Sequence, residues 1–273
     1  MLAVGKELLI GRTMNSNAHW LGKRFARMGT MLKEVITVDD DLEEIASAFR
    51  EAVKRNPDFL IVVGGLGPTP DDMTLRGIAN GMGVTLRKSE RALALIGEHY
   101  ARRGLPQIEL TPARLKMARL PVGAEALPND AGTAPGVRLV AKGLTVYCLP
   151  GVPTEMRGIF RRSVEPEIRK RLGRLHRKYV TMKLEGILES VLAPAIAKEL
   201  EGHPGAYIKS HPRGIRGGVS RIELDIAVVG EDRRTTDNEG ERIAEEMRVD
   251  IERAGGTIKS ARGLWGKHWK SHS

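Results

Sequence analysis

The sequence predicts an α/β protein in two parts: a parallel sheet covered by helices on both faces, then a smaller α+β domain. Three observations carry that expectation. Apolar runs of strand length alternate with helix-period segments from the first residue to about 172. Three glycine-containing loops, "GGLGPTPDDMT", "NDAGTAPG" and "LPGVPTEM", alternate with those runs. Beyond Leu172 the order becomes strand, helix, strand, strand, helix. The 273 residues are 41% hydrophobic and only 4% aromatic, so a core of ordinary size must be packed chiefly by aliphatic side chains.

Taken in order, "MLAV" is a short first strand. In "NSNAHWLGKRFARMG", Asn15 or Ser16 is the expected N-cap, Trp20, Leu21, Phe25 and Met28 form the apolar stripe, and Gly29 stops the helix. "MLKEVITV" alternates as a strand, and "DLEEIASAFREAVKRN" is a helix whose acids come first and bases last, matching its dipole. "DFLIVVGG" is a fully apolar strand running into the first glycine loop, which therefore sits at a strand's carboxyl end. Helices follow over "DMTLRGIANGMG", "SERALALIGEHYARRG" and "TPARLKMARL". "VRLV" and "LTVYCLPG" are strands, and "GVPTEM" opens a long basic helix.

In the second part, "KYVTMKLEG", "AYIKS" and "VSRIELDIAVVG" read as strands. "ESVLAPAIAKELEG" and "NEGERIAEEMRVDIERAG" read as helices, giving a ferredoxin-like order. The expected boundaries are 1–172, 173–258, and a basic tail over 259–273 that carries two tryptophans.

Composition excludes some classes. No apolar run approaches the roughly 18 residues of a membrane span, and the N-terminus has no signal-peptide pattern, so a soluble cytoplasmic protein is expected. The single cysteine, Cys148, lies in an apolar run with no nearby histidine or basic cluster and is read as a buried structural thiol. A net charge of +10 is compatible with anionic small ligands or nucleic acid. The densest basic run, "RGIFRRSVEPEIRKRLGRLHRKYV", has almost no interleaved aromatics to stack on bases, so it is read as a solvated helix and nucleic acid is not the expected partner.

Ligands of open parallel sheets bind at the carboxyl ends of strands. There the "GGLG" loop would offer amides unshielded by side chains, with a helix N-terminus behind them, and Thr69 and Thr74 would add hydroxyls. Asp71 and Asp72 would repel phosphate unless neutralised. Either Asp72 caps the following helix with Asp71 a solvated neighbour, or the pair holds a divalent cation bridging carboxylate and phosphate; one can also cap while the other reaches the metal. The loop is neither a P-loop nor a dinucleotide fingerprint. Arg76, one turn into the helix, is read as a surface residue or a phosphate partner.

Together, "VGKELLIGRTMNSNAHWLGKRFARMG", "TVDDD", "GGLGPTPDDMT", "NDAGTAPG" and "LPGVPTEM" resemble the competence/damage-inducible protein A family. Its N-terminal domain has the MoaB/Mog molybdopterin-binding fold. The likeness spans residues 1 to about 172, and "GILES" with "SRIELDIAVVG" resembles the family's middle domain. It implies a three-layer α/β/α MoaB/Mog-like domain whose relatives bind a phosphorylated pterin or its adenylylated form. It further implies divalent-metal-dependent (Mg, Mn or Co) hydrolysis of ADP-ribose, FAD or a similar dinucleotide with release of AMP, with molybdopterin binding or adenylylation as the alternative. A dimer or trimer is also implied. A non-catalytic protein binding nucleotide or nucleic acid through the basic helix and tail is a third reading.

Carried onto this chain, the resemblance assigns phosphate binding to Gly64, Gly65, Gly67 and Thr69 and makes Asp71 and Asp72 the catalytic, metal-holding pair. Glu7 and Asp40 are further metal ligands, Asn129, Gly132 and Thr133 line the nucleotide side, and Gly151, Pro153 and Glu155 close it. Many relatives carry an acidic or amide residue where Lys6 stands; this lysine would pair with phosphate or with Glu7. The C-terminal amidohydrolase domain of many members is not expected here, and Ser190 is read as a helix cap rather than as that domain's serine.

Overall fold

The computed structural model describes residues 1–105, 109 and 111–263. Two compact units emerge, residues 1–26 with 31–171, and residues 27–30 with those from 172 onward. In the first, β1 (Leu2–Val4) leads through a single turn, α1 (Lys6–Leu9), to α2 (Ser16–Arg27). Asn15 caps α2 by accepting from the Ala18 amide at 3.0 Å. β2 (Ile36–Val38) is shorter than the alternation in "MLKEVITV" predicts. Its ladder partner β1 has only three residues to pair, and Met31 and Val35 are exposed instead.

Helix α3 (Leu42–Lys54) starts at Asp41, whose carboxylate accepts from the Glu43 and Glu44 amides. β3 (Phe59–Val63) is apolar throughout because the sheet is covered on both faces. Next comes α4 (Thr74–Met82), with Met73 rather than Asp72 at its N-cap and no side-chain cap at all, and Gly83 ends it in the left-handed region. Then follow β4 (Leu86–Lys88), α5 (Glu90–Arg102), α6 (Pro112–Met117) and β5 (Arg119–Pro121). β4 and β5 form a two-stranded antiparallel ribbon where the sequence suggested no strand. β6 (Glu125–Leu127), β7 (Gly136–Ala141) and β8 (Leu144–Leu149) complete the strands of this unit. α7 (Pro153–Ile159), a π-helical turn (Phe160–Val164) and α8 (Glu165–Leu172) form its last helical stretch.

The main sheet has the order β2-β1-β3-β8-β7-β6. The first four of these run parallel, β7 is antiparallel to β8, and β6 is antiparallel to β7. Register decides where the site lies. Val4 pairs with Val38, Ala3 with Val63, and Val63 with Leu149, so four parallel strands end together and their exit loops are neighbours.

Cys148 is fully buried opposite Val62, and burial pushes its thiol up to about 12. Of the basic helix's side chains, Arg162, Arg169 and Arg171 are ion-paired, and Arg157 and Arg161 lie over the Trp20 ring. Buried Glu165 accepts a two-pronged bond from Arg24 and another from Arg169, Glu167 takes Arg138 and Arg171, and Asp130 takes Arg162. No helix among the described residues is long and apolar enough to cross a membrane.

The second unit contains β9 (His176–Glu185), α9 (Glu189–Gly202), β10 (Tyr207–Arg216), β11 (Val219–Gly230), α10 (Arg233–Arg253) and β12 (Thr257–Arg262). Its sheet order, β10-β11-β9-β12, is antiparallel throughout, the arrangement of a split βαβ unit. β12 corrects the expectation of a tail from residue 259: it pairs with β9 and closes the sheet. Leu188, not Ser190, holds the N-cap position of α9; Ser190 lies in the helix's first turn. The two tryptophans of the expected tail, Trp265 and Trp269, lie outside the described residues.

Candidate active site

A cavity of about 510 Å³ opens where the parallel strands end. It is lined by the β1 exit (Gly5, Glu7), the β2 exit (Asp40), the β3 exit (Gly64 to Pro68, Asp71, Asp72) and the β8 exit (Pro150 to Val152, Glu155). Thr133 and Ala134 come from the loop before β7, and Tyr100 and Met117 from α5 and α6. Five carboxylates and no basic side chain are among its lining residues.

The glycine loop has two different uses for its bare backbone. Gly64 has φ 110°, and a Cβ there would lie 2.0 Å from the Val4 carbonyl oxygen; its amide already donates to Leu149 O at 3.0 Å. Gly64 therefore serves the close approach of two strands. By contrast, the amides of Gly65, Leu66 and Gly67 have no acceptor among the described residues, which leaves three adjacent donors at the cavity wall. Thr74 does not face the cavity: it is buried, and its hydroxyl donates to Gly64 O at 2.8 Å, strapping the loop to α4.

Asp72 turns back rather than capping α4. Its Oδ2 accepts from the Thr69 amide at 2.8 Å and lies 2.5 Å from the Thr69 hydroxyl, which the two aspartates share, and Thr69 is not among the residues lining the cavity. The same hydroxyl reaches Asp71, and with Asp71's own amide and the Lys116 charge it holds that exposed carboxyl below its ordinary value. Asp40 behaves oppositely. Burial raises its carboxyl, Glu7, Asp71 and Asp39 raise it further, and the Lys6 amide, donating to Asp40 Oδ2 at 2.9 Å, partly offsets this. The Lys6 side chain pairs with Asp39 at 3.2 Å, so it does not neutralise Glu7.

Asn129, Gly132 and Pro153 also stand behind the wall. Asn129 is buried; its amide nitrogen donates to Glu155 Oε2 at 2.7 Å and to Ala134 O, and its oxygen accepts from the Ala131 and Gly132 amides. Gly132 carries no side chain because a Cβ would fall 2.1 Å from the Glu155 carboxylate. Pro153 begins α7, setting the direction from which Glu155 enters. Several residues around the cavity were not singled out by the sequence reading, Tyr100, Met117 and Asn17 among them. Tyr100 and Met117 look like helix core positions by period alone, and Asn17, whose amide donates to Gly151 O at 2.7 Å, looks like ordinary first-turn polarity.

The expected ligands Glu7, Asp40, Asp71 and Asp72 share this cavity, yet no three of them bring ligand atoms within 4.8 Å of one another. Such a dispersed, all-oxygen set fits Mg²⁺ or Mn²⁺ held by one or two carboxylates, with waters and ligand phosphates completing the shell, rather than an all-protein cage.

Comparison with known proteins shows the family. The family model described as "Probable molybdopterin binding domain" matches residues 1–170. A protein of Pyrobaculum arsenaticum is 40% identical over 226 residues, covering 83% of this chain and 84% of that one. One of Metallosphaera sedula is 38% identical over 258 residues, covering 94% and 96%. The crystal structure of the CinA protein of unknown function from Thermoplasma acidophilum is 42% identical, with a TM-score of 0.56, and covers 61% of this chain and 96% of its own. The chain therefore belongs to the molybdopterin-binding-domain family and, within it, is a CinA-type protein.

Proposed function

We propose that the acid-lined cavity binds the phosphate of a molybdopterin-type ligand, free or joined to AMP through an anhydride. The observation that carries this reading is the three unpartnered amides of Gly65, Leu66 and Gly67 beside a dispersed set of carboxylates, in a chain of this family. The amides would hold phosphate oxygens. Asp71 and Asp72 would present a divalent cation to them, and such a cation, when bound, screens charge on the phosphoryl group.

A second reading, metal-dependent hydrolysis of ADP-ribose, FAD or a similar dinucleotide, is favoured by Asp40. A carboxyl raised by burial and by neighbouring acids suits a general base. Water would attack one phosphorus, its proton passing to the Asp40 carboxylate, and the P–O bond of the anhydride would break to give AMP and the phosphorylated second half.

Two assays on the purified full chain separate the readings. Acid denaturation with oxidation releases a fluorescent pterin if the first holds. Chromatography of ADP-ribose or FAD after incubation with Mg²⁺, Mn²⁺ or Co²⁺ shows AMP if the second does. Asp72→Asn should reduce the positive signal about 100-fold with an unchanged circular-dichroism spectrum. A wild-type signal from that variant removes Asp72 from the site, and neither pterin nor AMP from the wild-type chain sinks both readings.

A further inference from the structure

A larger cavity, about 780 Å³, lies against the other side of the glycine turn and shares Gly65, Leu66, Gly67 and Asp72 with the acid-lined one. Its floor is aliphatic, supplied by Leu66, Leu75, Leu86 and Leu115, and four cations line it: Arg76, Lys88, Lys116 and Arg119. The acid-lined cavity has no cation in its lining. One turn of chain thus separates a basin lined by five carboxylates and no cation from one lined by four cations and a single carboxylate, the shared Asp72.

The cations are arranged at a cost. Lys88 and Arg119 stand directly opposite each other in the β4–β5 ribbon, a like-charge cross-strand pair of the kind that destabilises sheets. Arg76 and Arg119 have no hydrogen-bond or ion-pair partner among the described residues. Lys116 donates to the Thr69 carbonyl, and its ammonium is shifted down by burial and by Arg76, while the charges of Asp72 and Asp71 oppose that shift. Lys88 alone has a carboxylate partner outside the site, Glu90 at 3.0 Å. Elsewhere, Arg24, Arg138 and Arg248 are each paired with carboxylates. Bound anion would relieve the repulsion, and an aliphatic floor under it suits a flat ring.

We propose that this cavity is a second anion subsite, taking the distal half of a two-part ligand: a heterocycle or sugar over the leucines, with a phosphate of its own met by Lys88, Arg119 and Arg76. The proposal rests on the reading that the acid-lined cavity holds the first phosphate. It adds a substrate class, ligands that carry an anionic group beyond the linking phosphates.

The test reads binding, not turnover, so loss of hydrolysis or of pterin binding leaves it decidable. Isothermal titration of the full chain with Ca²⁺ in place of Mg²⁺, each ligand recovered intact afterwards by chromatography, at about 0.15 M salt, where charges beyond roughly 8 Å are screened, compares ADP-ribose with its 2′-phosphate and its 1″-phosphate. These two isomers place the extra phosphate on opposite halves of the molecule. One isomer should bind about tenfold more tightly than ADP-ribose. In Lys88→Ser/Arg119→Ser that ratio should fall to about one, whereas Arg87→Ser/Arg91→Ser, which removes two charges from nearby exposed positions outside the cavity, should keep it. Equal affinity of all three ligands for the wild-type chain overturns the proposal. So does a preference that survives Lys88→Ser/Arg119→Ser, or one that Arg87→Ser/Arg91→Ser abolishes.

Discussion

Carboxylates gather twice in this chain, and the two gatherings are built in opposite ways. In the first unit Glu7, Asp40, Asp71 and Asp72 come from three different strand exits and line an open cavity without converging. In the second unit Glu199, His203 and Glu246 place ligand atoms within 4.8 Å of one another between α9 and α10. That tighter group is closed. Glu199 is only 2% exposed, Lys198 sits 3.3 Å from it, and Arg242 lies 3.1 Å from the His203 ring. Burial raises the Glu199 carboxyl and the approach of Glu246 raises it further; its Oε2 has no donor unless the two acids hold a proton between them. Proximity of acids is therefore a poor guide to function here. The dispersed set faces space that a ligand can enter, while the compact set has its charge balanced from within.

The sharpest way to break the open site is at its hinge. Gly64→Ala would put a Cβ 2.0 Å from the Val4 carbonyl at a φ of 110°, so the β3 exit must shift. The expected loss is about 3 kcal/mol of stability, read by chemical denaturation; an unchanged midpoint would mean the loop tolerates strain and does not position the amides.

A smaller effect is expected from Asp40→Asn, which should slow AMP release about 100-fold if that carboxylate acts as a base. Because the Asp40 carboxyl is raised, wild-type activity should begin to fall on the acid side at a higher pH than an unshifted aspartate would give, and the variant should lack that limb. A pH profile identical in both proteins would remove Asp40 from the chemistry.

The smallest change probes the closed cluster. A carboxyl whose value is raised on folding contributes stability that is fully present below its unfolded value and lost as pH rises through its folded one. Glu199→Gln should therefore flatten the fall in melting temperature above about pH 4.5 and raise that temperature near neutrality. If Zn²⁺ instead raised the melting temperature of the wild-type chain but not of His203→Ala, the cluster would be a metal site and the contrast between the two units would fail.

Local pattern made much of the fold legible. The apolar β3 and β8, the Asn15 cap and the glycine stop at 29 act over a few residues, and a single sequence displays them. Elements held by distant partners were not visible. β12, "TIKSAR", is polar and half-exposed, and pairing with β9 makes it a strand. The β4–β5 ribbon joins segments more than thirty residues apart, and "ARL" carries no sign that it leaves the helix before it.

At the candidate site, sequence alone singled out the glycine turn, its two aspartates and the loops that surround them, because backbone conformation and side-chain chemistry at those positions are intrinsic to the residues; the structure places them around one cavity without testing their roles. Tertiary structure decided their tasks. Strand register brought Asp40 and Glu155 to the same cavity, a contact with Val4 claimed Gly64, and a bond to Thr69 claimed Asp72 in place of a helix cap. The pairing of β4 with β5 set Lys88 against Arg119 on the far side of the turn. Each of these depends on which segments meet in space, and neither composition nor periodicity encodes that in any one stretch of chain.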